Sequence, residues 1–189
     1  MTATPPLHAS KLIPQGKGLS KVLLQRARTM ELDWDVRQKS RFLATDSQDR
    51  TIGVLLQRGT VLRGGDVLVA EDGSFVRIVA APQPVLRITH CAQHGTPFDL
   101  IRAAYHLGNR HVPMELKPDH LVMEPDHVLA DMLRAMHLIV NATDQAFEPE
   151  NGAYGSGGHD HAGHGHAGQD HPHDHDHDHI HAHGHSHAH

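Results

Sequence analysis

The chain reads as an α+β protein: an all-β domain over residues 1–82, a β-α-β-β-α-β domain over residues 85–150, and a histidine-rich tail over residues 151–189. Three observations predict this. Between Lys21 and Ala81, short apolar runs alternate with polar turns at strand spacing. After Ala81-Pro-Gln-Pro84 the pattern changes, and two stretches, beginning at Thr96 and Asp126, carry helix caps followed by helical apolar spacing. From His159 to His189 the residues are His, Asp, Gly, Ala, Pro, Ser, one Gln and one Ile, too little apolar surface to offset the entropy of ordering, so this tail is expected to be disordered.

The elements follow in order. Residues 1–18 are punctuated by Pro and Gly and are expected to be poorly ordered at their start. Met30 to Val36 alternates, with Leu32, Trp34 and Val36 on one face and Glu31, Asp33 and Asp35 on the other, which predicts a strand. Arg41 to Thr45 and Thr51 to Leu56 are further short strands, and Arg63-Gly-Gly-Asp66 is a turn. Val67 to Ala70 and Phe75 to Ala80 form a hairpin closed at Asp72-Gly73. Ala81-Pro-Gln-Pro84 reads as a linker. Val85 to His90 is a strand. Thr96 as N-cap, Pro97 at the first helical position and Asp99 start a helix that ends at Gly108-Asn109. His111 to Leu116 is a strand, Pro118-Asp-His120 a turn, and Leu121 to Met123 pairs back. Asp126 caps a second helix with Val128, Leu129, Met132, Leu133 and Met136 on its apolar face, and Leu138 to about Phe147 is the last strand. This order is the ferredoxin-like split β-α-β arrangement.

Composition narrows the function. The single cysteine, Cys91, rules out a disulfide framework and a Cys-rich metal site. No run of eighteen apolar residues exists and the N-terminus lacks an apolar secretory core, so a cytoplasmic protein without a membrane segment is expected. The tail carries five Asp and no Lys or Arg. Residues 1–77 have a charge balance of +4 and residues 78–158 one of −4. The basic first part is a candidate docking surface for an acidic partner, but its charge is too small and dispersed for nucleic acid. No Ser/His/Asp set, phosphate-cradling glycine loop or cleft-forming acid–base pair appears, so an enzyme is not expected.

The tail points to metal. Fourteen of the 22 histidines lie there: His159, His161, His164, His166, His171, His173, His175, His177, His179, His181, His183, His185, His187 and His189. Imidazoles at near-alternate positions are borderline ligands for Ni²⁺, Zn²⁺ and Cu²⁺. A solubilising tail or purification tag is the bland alternative; a tag is usually one uninterrupted run, whereas this tract is long and mixed with Asp.

Four segments in sequence carry a family resemblance: Tyr105-His-Leu-Gly-Asn-Arg-His111-Val-Pro, Asp126-His-Val-Leu-Ala-Asp-Met-Leu133, Phe147-Glu-Pro-Glu-Asn-Gly-Ala-Tyr154 and the terminal histidines. With Gly59-Thr-Val-Leu-Arg-Gly-Gly-Asp-Val-Leu68, they strongly resemble the urease accessory protein UreE family over about residues 19–189. The resemblance implies a homodimeric Ni²⁺ metallochaperone that serves apo-urease and its other accessory proteins, working with the urease accessory GTPase (UreG). It also implies a first domain like a peptide-binding module and a ferredoxin-like second domain without a CxxC. The family's central metal histidine matches His111, and a second one matches His127. The partner histidine found two residues earlier in some members is Pro125 here, and His120 is a candidate substitute.

Each ligand has a plainer reading. His111 at a helix–strand junction is a potential hydrogen-bonder, and His127 a potential helix-start residue with Asp131 one turn on. His106, His90, His94 and Cys91 read as structural, and Met114, Met123, Met132 and Met136 as core. Because one imidazole holds a metal weakly, the two His111 side chains of a dimer are expected to face each other across one ion, with tail histidines or water completing the sphere. The competing function is a His-rich nickel or zinc store or detoxifier, in which only the tail acts.

Overall fold

The computed structural model describes residues 6–151; the expected ligands from His159 to His189 lie outside them. The first part is a six-stranded mixed sheet in the order β2-β6-β5-β1-β4-β3. Its strands are β1 (Leu7–Ile13), β2 (Arg28–Leu32), β3 (Arg41–Thr45), β4 (Thr51–Leu55), β5 (Val67–Ala70) and β6 (Phe75–Ala80). The hairpin at Asp72-Gly73 forms where expected, with Ser74 N–H and Oγ both bonded to the Asp72 carboxylate.

Three expectations for this part are corrected. The first strand is expected at Met30, yet β1, from Leu7, already lies inside the sheet, parallel to β4 and antiparallel to β5, with Ala9 fully buried. Backbone pairing on both sides outweighs a composition of few strong strand formers. The β texture begins with a helix, α1 (Lys21–Arg26), capped by Ser20. The alternating run at Met30 is not one strand: β2 stops at Leu32, and Asp33 caps a single helical turn, α2 (Trp34–Arg37), by accepting from Val36 N–H at 2.8 Å. An Asp at that position competes with the ladder for backbone donors, and alternation carries no signal of it.

The second part is an antiparallel sheet in the order β10-β7-β9-β8. Its strands are β7 (Pro82–His90), β8 (Met114–Leu116), β9 (Leu121–Met123) and β10 (Leu138–Ala146), and helices α3 (Pro97–Gly108) and α4 (His127–Ala135) follow β7 and β9. The expected linker at residues 81–84 is instead strand: Pro82 and Pro84 oppose Ala146 and Asp144 on β10. Proline is tolerated because β9 pairs only with Leu86 to Ile88, leaving that end of β7 flanked on one side. The caps at Thr96 and Asp126 are present, Thr96 N–H bonding Asp99 at 2.7 Å and Asp126 accepting from Leu129 at 2.9 Å. On α4 the buried residues are Ala130 and Leu133, with Leu129, Met132 and Met136 packed beside them; Val128, expected on that face, is 63% exposed. Met114 and Met123 are buried, as expected for core.

A third cluster joins the two sheets: Trp34, Val85, Val122 and Phe147, with Val61. Beside it sits Arg37, fully buried. Its guanidinium donates to Leu32 O, Phe147 O and the Glu148 carboxylate, the last at 2.8 Å. Burial pulls this guanidinium below its usual pKa, and the Glu148 charge opposes that pull. Arg63 reaches the other Glu148 oxygen at 3.2 Å, Pro149 O at 2.7 Å and the Asn151 side chain. Both guanidinium groups lie over the Trp34 ring, at 5.3 and 5.0 Å from its centre. The segment after β10 also bonds the second sheet's outer strand, Glu148 N–H to the buried Glu115 carboxylate and Glu150 N–H to Met114 O, both at 2.8 Å. Residues 147–151 thus fasten both sheets together.

Candidate metal centre

The geometry starts from how α3 ends. His111 N–H donates to Gly108 O at 2.9 Å and Val112 N–H to Leu107 O at 3.2 Å. These paired bonds make a Schellman motif, which requires a left-handed residue at the position His111 occupies. Its φ is +56°. The helix ends where expected, at Gly108 with Asn109 as its C-cap, but the left-handed residue that closes the turn is His111, since Asn109 has φ −62°. His111 is therefore the exposed residue that closes the helix, and the strand begins only at Met114. Histidine tolerates this region better than most residues, yet glycine would fit without the cost of roughly 1 kcal/mol. Non-glycine residues held this way gather at functional sites.

His127 is the first residue of α4 and is exposed. Strands β8 and β9 pair Met114 with Met123. His111 precedes that pair by three residues and His127 follows it by four, so the topology brings both to one end of the second sheet. A shallow groove there is lined by Leu86, Pro125, Asp126, His127, Ala130 and Arg134. Asp131 is engaged by Arg134 at 2.8 Å.

The other candidates lie elsewhere. His120 closes the β8–β9 hairpin at the far end of β9 from Pro125 and His127, its carbonyl accepting from Lys117 N–H. Its Nδ1 is 2.7 Å from Asp119 and 3.3 Å from Arg87. That hydrogen bond holds the exposed Asp119 carboxyl below its usual pKa. The sheet does not bring His120 to the Pro125 position. Cys91 and His94, 3.6 Å apart, sit after the end of β7, also away from His111. Backbone N–H of Gln93, then His94, lower the Cys91 thiol from its ordinary value. His90 has a buried Nδ1 without a partner, and His106 is half-buried edge-on to Tyr105, 5.5 Å between ring centres. Among the described residues, no three His, Cys, Asp or Glu side chains gather closely enough to hold a metal.

One feature of α3 escapes a reading that looks for a single apolar face. Leu100, Ala103 and Leu107 are buried, but Phe98, Ile101 and Tyr105 are 60, 63 and 66% exposed and lie at i, i+3 and i+7 on another face. The spacing was readable; only packing shows which stripe the sheet covers. The exposed stripe runs along the helix whose end His111 closes.

The residues match two family models. The one described as UreE urease accessory protein, N-terminal domain, covers residues 9–81, and the one described as UreE urease accessory protein, C-terminal domain, covers residues 83–189. Relatives described as Urease accessory protein UreE include one from Albidiferax ferrireducens, 77% identical over 155 residues that span 82% of this chain and 89% of the relative. Another, from Paracidovorax citrulli, is 76% identical over 153 residues, 81% of this chain and 73% of the relative. A relative from Burkholderia ambifaria is 51% identical over 151 residues, 80% of this chain and 72% of its own.

Proposed function

The chain belongs to the UreE family of urease accessory proteins, and on that premise we propose that it is a homodimeric metallochaperone carrying Ni²⁺ as cargo to apo-urease. Membership places it among the proteins that mature urease, not among urease's catalytic subunits. In this reading residues 1–82 are a docking domain, residues 85–150 a ferredoxin-like metal-carrying domain and residues 151–189 a His-rich tail. The partners are apo-urease, its other accessory proteins and the accessory GTPase, in the cytoplasm. Among the described residues no helix is long and apolar enough to cross a membrane.

The observation that supports this best is His111, held at φ +56° on the exposed end of α3. One imidazole is a weak ligand, and a two-fold axis doubles it. The Phe98, Ile101 and Tyr105 stripe offers an apolar surface for that axis on the same helix. His127, at the same end of the sheet, adds a further imidazole. Exposed ligands in an incomplete sphere suit a carrier, which must release its ion. Imidazole alone would favour Cu²⁺ over Ni²⁺ and also accepts Zn²⁺, so nickel rests on the family and its urease client. Ile101→Asp places a charge in the proposed interface without touching the buried face. Sedimentation should then show monomers, with the tight metal site lost; an unchanged dimer would place the axis elsewhere.

A store built on the tail is the second reading, favoured by its fourteen histidines. Deleting residues 159–189 separates the two. A carrier should lose most of its Ni²⁺ stoichiometry but keep one tight ion per dimer and partial urease activation; a store should lose everything. Tail loading should fall as pH drops through about 6.5, the ordinary histidine value, because protons occupy the ligand nitrogens. Calorimetric Ni²⁺ titrations of both chains on either side of that pH read the result.

A further inference from the structure

We propose that the first domain binds an acidic, extended segment of a partner polypeptide as an added strand on the free edge of β3. The proposal deepens the docking reading of that domain and rests on it.

The two edges of the six-stranded sheet differ. At β2, the outward-facing Thr29 is bonded on both groups: its N–H to Ser47 Oγ at 3.1 Å, and its C=O by Ser47 N–H at 2.7 Å. The chain itself thus covers the start of that edge. At β3, Leu56 N–H donates to Ser40 O at 2.7 Å and Asp46 N–H to Arg50 O at 3.0 Å, and between them Phe42 opposes Val54 and Ala44 opposes Ile52. Hydrogen-bonded positions alternate in an antiparallel ladder, so these even-numbered residues turn their backbone toward β4. Arg41, Leu43 and Thr45 therefore present N–H and C=O outward, and among the described residues nothing bonds them. An open row of this kind is a template for another strand.

Charge and shape select the occupant. The start of β3 borders a cleft of about 490 Å³ lined by Lys39, Arg41 and Arg58, with Leu56 buried in it. Lys39 is paired with Asp35 at 2.8 Å, whereas Arg41 and Arg58 have no carboxylate in ion-pair reach among the described residues. Arg41 directly opposes Leu55, and Leu43 shares their face; Leu43 is 67% exposed and Leu55 44%. A strand laid along this edge would meet cations at one end and aliphatic surface beyond. One edge strand of the second sheet, β10, is exposed too, but it carries Asp144 and no Lys or Arg, so it disfavours an acidic segment.

The test uses the full chain and a fluorescein-labelled, capped Glu-Val-Glu-Val-Glu-Val-Glu-Val peptide, with a Lys-for-Glu counterpart. Fluorescence anisotropy should show binding of the acidic peptide only, and amide exchange at Arg41, Leu43 and Thr45 should slow when it binds. Leu43→Pro removes one outward donor without breaking a bond to β4, and proline suits that edge position. It should weaken the peptide about tenfold or more, as should Arg41→Glu with Arg58→Glu. Peptide affinity unchanged in the folded Leu43→Pro chain, or protection that appears on β10 instead, overturns the proposal. Cross-linking to apo-urease through Lys11, Lys17 and Lys21 reports the docking reading separately. If those cross-links form equally well with Leu43→Pro and peptide affinity is unchanged, docking by the first domain stands and the β3 site falls. If peptide binding is lost with Leu43→Pro but no such cross-links form, the β3 site stands without urease as its partner.

Discussion

Replacing His111 with alanine is expected to abolish the proposed one-per-dimer Ni²⁺ site and, with it, most of the protein's proposed contribution to urease activation. The proposed ion sits on a two-fold axis, so a single substitution removes two ligands at once. The affinity should fall at least a hundredfold, about 2.7 kcal/mol. His111→Gly is the companion variant. Glycine adopts the φ of +56° without the strain histidine bears, so the folded state should gain roughly 0.5–1 kcal/mol while the metal is lost. Opposite signs for stability and nickel affinity would show that the histidine is kept for its imidazole and not for the turn. Metal should also tighten the dimer of the unsubstituted chain, since it binds the pair better than separate protomers. These experiments belong in the tail-less background, read by calorimetry and sedimentation. A tail-less His111→Ala chain that still bound one Ni²⁺ per dimer with unchanged affinity would sink the proposal.

Replacing Arg37 with methionine is expected to be the most destabilising substitution away from the metal end. Methionine fills much of the volume but leaves Phe147 O without the donor Arg37 supplies and removes one of the two guanidinium groups that hold the Glu148 carboxylate. Breaking a buried ion pair from one side costs about 3–5 kcal/mol. For a domain of this size that is a fall of roughly 10 °C in Tm. Glu148→Gln should cost less, because its one amide oxygen still accepts from Arg37 and only the bond to Arg63 is lost. Because the pair fastens residues 147–151 to both sheets, loss of cooperativity in urea unfolding should accompany the loss of stability. An Arg37→Met chain within about 1 kcal/mol of the parent would refute the fastening role.

Much of this protein was legible along the chain because it depends on neighbours in sequence. The caps at Thr96 and Asp126, the hairpin at Asp72-Gly73 and the β-α-β-β-α-β order each follow from residues a few positions apart. The run ending in His111 and the Asp126-His127 pair were equally local, which is why they pointed to the UreE family. What failed locally was decided by long-range partners. Strand β1 exists because β4 and β5 flank it, and Pro82 and Pro84 are strand because β10 opposes them. His120 looked adjacent to Pro125 in sequence, and β9 puts the two at opposite ends. The Arg37–Glu148 contact joins residues 111 positions apart, a separation over which no pattern of spacing carries information. Local chemistry thus named the elements and the candidate imidazoles. Tertiary pairing chose which backbone groups were left open, which arginine was buried and which histidines share an end, because those depend on surfaces that meet only after the chain has folded.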